Sequence, residues 1–208
     1  MSLMTNWGYT FVDIDEMPDM LTKDEYDEFT ANKYATDGRS ARNISAATSA
    51  VRNYCNWHVY PPEACRFEST FYDARVSEVD GGVMIQLPAK YVSEITSLMI
   101  NGTPHDSYVL EPNGILRVIG LNCYRMLKHT PIVVEYIAGV PEALMGGLKE
   151  LIAHRVTHAM ASTSGVQSET AGGVSITYNA TWANTSRATA LADDNKEVLQ
   201  AYRVQGVF

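Results

Sequence analysis

The sequence predicts an α+β fold, a helical bundle of three to four helices carrying an inserted small antiparallel β subdomain. Three observations lead there. Apolar residues recur at helical spacing on both sides of the chain's middle. The middle itself alternates bulky and polar residues between Gly, Asn and Asp turn signals. The composition, 46% apolar and 19% charged over 208 residues, can bury a core and argues against wholesale disorder.

Residues 1–60 read as an N-terminal helical part. The stretch 11–20 carries four acids and a proline and reads as an irregular lead-in. Thr22 followed by Glu25 is a capping-box arrangement that opens a short helix reaching about Asn32. Asp37-Gly38 breaks it, and Ser40 is expected to cap a second helix. In that helix Ile44, Ala47, Val51, Tyr54 and Cys55 share one face. Pro61-Pro62 ends the segment, because neither proline offers an N–H to continue a helix.

Residues 61–140 read as the β insertion. The run 65–76 alternates as one strand before the turn Asp80-Gly81-Gly82. Strands are then expected at 83–88, at 93–100 ahead of Asn101-Gly102, at 107–112 ahead of Asn113-Gly114, at 115–120, and at 131–140. Residues 141–163 are expected to form a long helix that completes the bundle, opening at Pro141. Leu144, Leu148, Leu151, Ile152, Arg155, Val156 and Ala159 trace its packing stripe. Residues 164–208 read as a flexible arm and a C-terminal helix: a small, polar, glycine-rich stretch, a strand-like 174–178 with no obvious local partner, and a short helix near the end.

Charge and cysteine content narrow the function classes. The formal net charge is −8, from 24 acids against 16 bases. Duplex binding through phosphates needs clustered Lys and Arg, which this balance does not advertise. No apolar run approaches the roughly 20 residues of a membrane span, so no membrane partner is expected. The first ten residues lack the basic-then-apolar pattern of a secretory leader. Cys55, Cys65 and Cys123 have neither the number nor the spacing of a disulfide framework or zinc site, and read as reduced thiols.

Catalytic and metal constellations are thin. Glu150, His154 and His158 fall four apart on the third helix and so share a face. Arg155 stands where the glutamate of a zinc-protease motif belongs, so that motif is absent and no metal site is expected. Asp193, Asp194 and Glu197 beside Lys196 read as a solvated helix end. Ser93, Ser97 and Ser168 lack a nucleophile-elbow context, and Gly172-Gly173 is too little for a phosphate loop. Trp7, Trp57 and Trp182 are dispersed, and Trp57 ends an apolar helix face as a core residue would. No catalytic residue and no cofactor are expected.

Six short motifs recur in a telling order. They are Arg52-Asn53-Tyr54-Cys55-Asn56-Trp57, Leu87-Pro88 with the strand 95–102, Gly114-Ile115-Leu116-Arg117, Val134-Glu135-Tyr136-Ile137-Ala138-Gly139, Gly165–Glu169 with Gly172 and Tyr178, and Leu199-Gln200-Ala201-Tyr202-Arg203. In this order, over about residues 40–203, the chain resembles the head–tail connector (head-completion adaptor) proteins of long-tailed phages. The resemblance implies a structural, non-enzymatic virion subunit of a phage or prophage. It implies a homo-oligomeric ring docked below the portal protein, with a downstream tail-completion protein beneath and DNA passing through without specific binding. The location implied is the head–tail junction of the virion, or the bacterial cytoplasm on expression from a prophage.

A ring subunit needs a segment that reaches its neighbour through heterologous contacts. The arm supplies the candidates Val166, Gln167, Ser168, Glu169, Gly172, Gly173, Val174, Ile176 and Tyr178. An acidic channel wall is expected to draw on Asp13, Asp15, Glu16, Asp19, Asp24 and Glu25. Two other readings stand beside this one: a small β-rich binding module of a phage tail, and a metal-dependent hydrolase built on His154 and His158.

Overall fold

A computed structural model describes residues 2–5, 8–11, 17–70, 76–79, 82–121, 130–161, 168–171, 174–177 and 193–204. The chain divides into two compact units. One comprises residues 1–18, 55–144 and 202–208, the other residues 19–54 and 145–201.

The first unit is a sandwich-like pair of antiparallel sheets. Its six-stranded sheet runs in the order β1 (Ser2–Thr5), β2 (Gly8–Phe11), β3 (Glu63–Thr70), β10 (Pro131–Ala138), β6 (Val92–Ile100), β7 (Thr103–Pro104). Its four-stranded sheet runs β4 (Val76–Val79), β5 (Gly82–Gln86), β9 (Ile115–Ile119), β8 (Tyr108–Glu111). β10 is central because every second residue is apolar: Ile132, Val134, Tyr136 and Ala138 are buried, while Val133, Glu135 and Ile137 are not. Phe67 of β3, Leu98 of β6, Ile85 of β5 and Leu116 of β9 are buried with them. Each such side chain contributes about 1.5–3 kcal/mol on leaving water. On the opposite row of the large sheet Arg66 lies between Glu68 (2.6 Å) and Glu135 (3.4 Å).

The second unit holds the helical segments α1 (Lys23–Phe29), α2 (Arg39–Cys55, whose last residue belongs to the first unit), α3 (Gly146–Ala161) and α4 (Asp193–Gln200), with the strands β11 (Ser168–Ala171) and β12 (Val174–Thr177). The Thr22–Glu25 capping box forms as its sequence demands: the Glu25 N–H donates to Thr22 Oγ1 (3.2 Å) and the Thr22 N–H to Glu25 Oε2 (2.8 Å). Glu25 also accepts from Lys149 Nζ of α3 at 2.6 Å, and Tyr26 Oη lies 3.3 Å from Thr157 Oγ1. Ile44, Ala47, Val51 and Cys55 of α2 are buried, as are Leu148, Leu151, Ile152 and Val156 of α3.

The expected helical bundle with a small β insertion is overturned. The structure is mostly β, with two antiparallel sheets and only a few helices. Two causes are plain. Helical periodicity is strong within a short window, whereas the sheet's stability lies in pairings such as Val134 with Phe67 and Leu98, distant in sequence. The N-terminal residues also add β1 and β2 to the edge of β3, through Tyr9↔Glu68, Thr10↔Phe67 and Phe11↔Arg66.

Smaller differences have local reasons. The single strand expected over 65–76 is two, β3 in one sheet and β4 in the other. Ser40 does not cap α2 from outside; it lies buried in the first turn and donates to the Asp37 carbonyl at 2.8 Å. Asp37 takes the capping role, its Oδ1 accepting from the Arg39 N–H at 2.9 Å. α3 opens at Gly146 rather than Pro141, which precedes a 3-10 turn, Glu142–Leu144. Leu144 is therefore 53% exposed and Met145 is buried in its place.

Candidate assembly surface

Four of the nine arm residues named from sequence fall on a hairpin. β11 and β12 pair antiparallel, Ser168↔Thr177, Glu169↔Ile176, Thr170↔Ser175 and Ala171↔Val174. The strand at 174 thus has a local partner, which the polar composition of 168–171 concealed. Among the described residues this two-stranded sheet joins neither of the larger ones. A two-stranded ribbon is marginal alone, and both of its outer edges offer main-chain donors and acceptors. Ser168, Glu169, Val174 and Ile176 lie on it. Val166, Gln167, Gly172, Gly173 and Tyr178 lie outside the described residues.

Two of the sequence motifs meet in the first unit, although 145 residues separate Trp57 from Tyr202. Trp57 Nε1 donates to the Tyr202 carbonyl at 2.6 Å, Asn56 Nδ2 to the Val204 carbonyl at 3.3 Å, and the Val204 N–H to the Cys55 carbonyl at 2.9 Å. The rings of Trp57, Tyr91 and Tyr202 stack in series, at centroid spacings of 6.4 and 6.0 Å. Val204 is buried. These motifs fasten the C-terminal segment. Tyr91, the middle ring, had no sequence signal, since an isolated tyrosine after a turn carries none. His58, also without a signal, is buried beside Trp57 with its Nε2 2.7 Å from the Ala138 carbonyl oxygen.

Among the described residues the candidate groups for chemistry do not converge. Glu150 and His154 form an exposed pair at 3.6 Å, and Phe29 meets His154 edge-on at 5.1 Å. Among the described residues no group of three or more His, Cys, Asp or Glu side chains is placed to hold a metal ion. Ser93 Oγ donates to the Ile137 carbonyl at 3.3 Å, and Ser97 sits across from Glu135. Burial pushes the Cys55 and Cys65 thiols up to about 12, far from a reactive thiolate. Of the acids expected at a channel wall, Asp19 accepts from Ser45 Oγ at 2.6 Å, Glu25 is engaged by Lys149, and Asp24 is exposed. Asp13, Asp15 and Glu16, like Cys123, Trp7 and Trp182, lie outside the described residues, as do the side chains of Asp193 and Asp194. Among the described residues no helix is long and apolar enough to cross a membrane.

The described residues thus give a β-rich body, a C-terminal segment fastened to it through Trp57, and a two-stranded sheet that joins neither larger one. The family model for the head completion protein matches residues 19–204, and the chain belongs to that family. It is a structural component of the phage virion that works with other head and tail proteins. No curated protein matches the sequence.

Proposed function

We propose that the protein closes into a ring of roughly a dozen copies by heterologous contacts, docks below the portal protein, receives a downstream tail-completion protein, and forms a conduit through which DNA passes without specific binding. The observation that carries this reading is the β11–β12 hairpin, a two-stranded sheet separate from both larger sheets in a chain of the head completion family. Val166, Gln167, Ser168, Glu169, Gly172, Gly173, Val174, Ile176 and Tyr178 form the contact to the neighbouring copy. The protein acts at the head–tail junction, and stands in the bacterial cytoplasm when expressed from a prophage.

Electron microscopy of the concentrated protein, alone and with its portal, tests the proposal. Closed rings coaxial with the portal are the expected result. A discrete two-fold dimer under both conditions overturns it.

A further inference from the structure

The two large sheets end in four edge strands, and they are not equally open. β7 has two residues and ends in Pro104, which has no N–H to give. β4 carries Glu78 in its interior, and β1 precedes residue 19, where the family match begins. β8 differs: its one acid, Glu111, is terminal and sits 3.9 Å from Arg117, and Val109 is 47% exposed. The Ile119 N–H donates to the Ser107 carbonyl at 2.8 Å. Antiparallel alternation then makes 109–117 and 111–115 the next hydrogen-bonded pairs. Tyr108 and Leu110 therefore turn their N–H and C=O groups to the outer edge.

The same reasoning applies to the hairpin. Two residues of sequence separate Ala171 from Val174, the spacing at which the last pair of a hairpin is hydrogen-bonded, so Ala171↔Val174 and then Glu169↔Ile176 are assigned as the hydrogen-bonded pairs. Ser175 and Thr177 of β12 therefore face outward with their main-chain groups. β12 is uncharged and rich in β-branched residues, whereas β11 carries Glu169. Both β8 and β12 are four residues long and lie within the family-matched span.

We infer that copies of this chain join by strand addition, the outer edge of β12 in one copy pairing with the outer edge of β8 in the next. The inference rests on the ring reading and names its contact. Two different open edges on one chain make a head-to-tail contact, the kind that closes into a ring, whereas pairing of like edges gives a two-fold dimer. Affinity comes from main-chain hydrogen bonds, as in other strand additions.

The test uses the full chain. Ser175→Pro removes an outward N–H and leaves the hairpin's own ladder intact, so the variant keeps the wild-type melting temperature and loses rings. In a second test, Val109→Cys is combined with Ser175→Cys or with Ile176→Cys, since one of the two shares a face with Val109 in the joined sheet. Mild oxidation of one of these double variants gives a ladder of covalent oligomers that neither of its single variants gives. Rings that survive Ser175→Pro, or rings without a covalent ladder in either double variant, overturn the β8–β12 contact while the ring stands. Absence of rings in the wild-type protein, with and without portal, overturns the ring reading itself.

Discussion

Gly114 and Gly139 show how single positions control this fold. Gly114 has φ +72°, and a Cβ there would lie 1.8 Å from the Ala89 carbonyl oxygen. At Gly139 the obstacle is backbone approach, since a Cβ would meet Pro62 Cα at 2.3 Å. Both belong to motifs that carry the family resemblance, Gly114–Arg117 and Val134–Gly139. Gly114→Ala is expected to destabilise by at least about 2 kcal/mol, lowering Tm at roughly 2–4 °C per kcal/mol for a chain of this size; thermal melting checks it. A change under one degree would mean the 112–114 turn re-forms without strain. Trp57→Phe keeps an aromatic ring but leaves the Tyr202 carbonyl without its indole donor, a loss of about 0.5–1.5 kcal/mol. The same melts, with proteolysis of the C-terminal segment as second readout, report it. The buried thiols make a third expectation. With their pKa near 12, Cys55 and Cys65 should ignore a thiol reagent at pH 8 until the protein unfolds. Labelling of either in the native protein, located by mass spectrometry, would contradict their burial.

At the scale of elements, what was legible in the sequence divides by range. Thr22 and Glu25 announced α1 because a capping box is complete within four residues. Asn101-Gly102 and Asn113-Gly114 announced their turns because φ near +53° to +72° is what Asn and Gly tolerate. The strands β5, β6, β8, β9 and β10 were visible as short runs between turn signals, whereas β7, two residues long, was not. Their partition into two sheets was not, because nothing local to 65–76 says that β3 and β4 part company. The β1–β2 hairpin escaped for a similar reason: four-residue strands are too short for a period to register. The candidate interface was legible as a segment but not as a hairpin, since β11 reads Ser-Glu-Thr-Ala and becomes a strand only through its partner. Deleting 164–189 is expected to leave the sandwich-like unit folded, because its buried residues come from β3, β5, β6, β9 and β10, and to abolish assembly. Circular dichroism and light scattering separate the outcomes. A deletion variant that unfolds would show that the hairpin completes a core.

At the scale of the whole molecule, the acidic balance and the proposed conduit bear on each other. Every Lys–phosphate contact along a channel wall releases counterions and holds the duplex in place. A wall with surplus Asp and Glu avoids that trap. Each copy carries eight more acids than bases, 24 against 16, so roughly a dozen copies bring on the order of 100 excess negative charges. Screening confines their reach, since the Debye length is about 8 Å at physiological salt. In the proposed conduit the repulsion would therefore act close to the wall, centring the duplex without opposing its passage. The described acids are not all equal contributors: Glu25 is neutralised in part by Lys149 at 2.6 Å, whereas Asp24 is exposed. A gel-shift titration with duplex DNA across a salt series checks the argument. No saturable binding is expected at physiological salt, and none that strengthens as salt is lowered moderately. Tight binding with a steep negative salt slope would instead require Lys and Arg drawn together on one face against the overall balance, and the passive conduit would have to be given up.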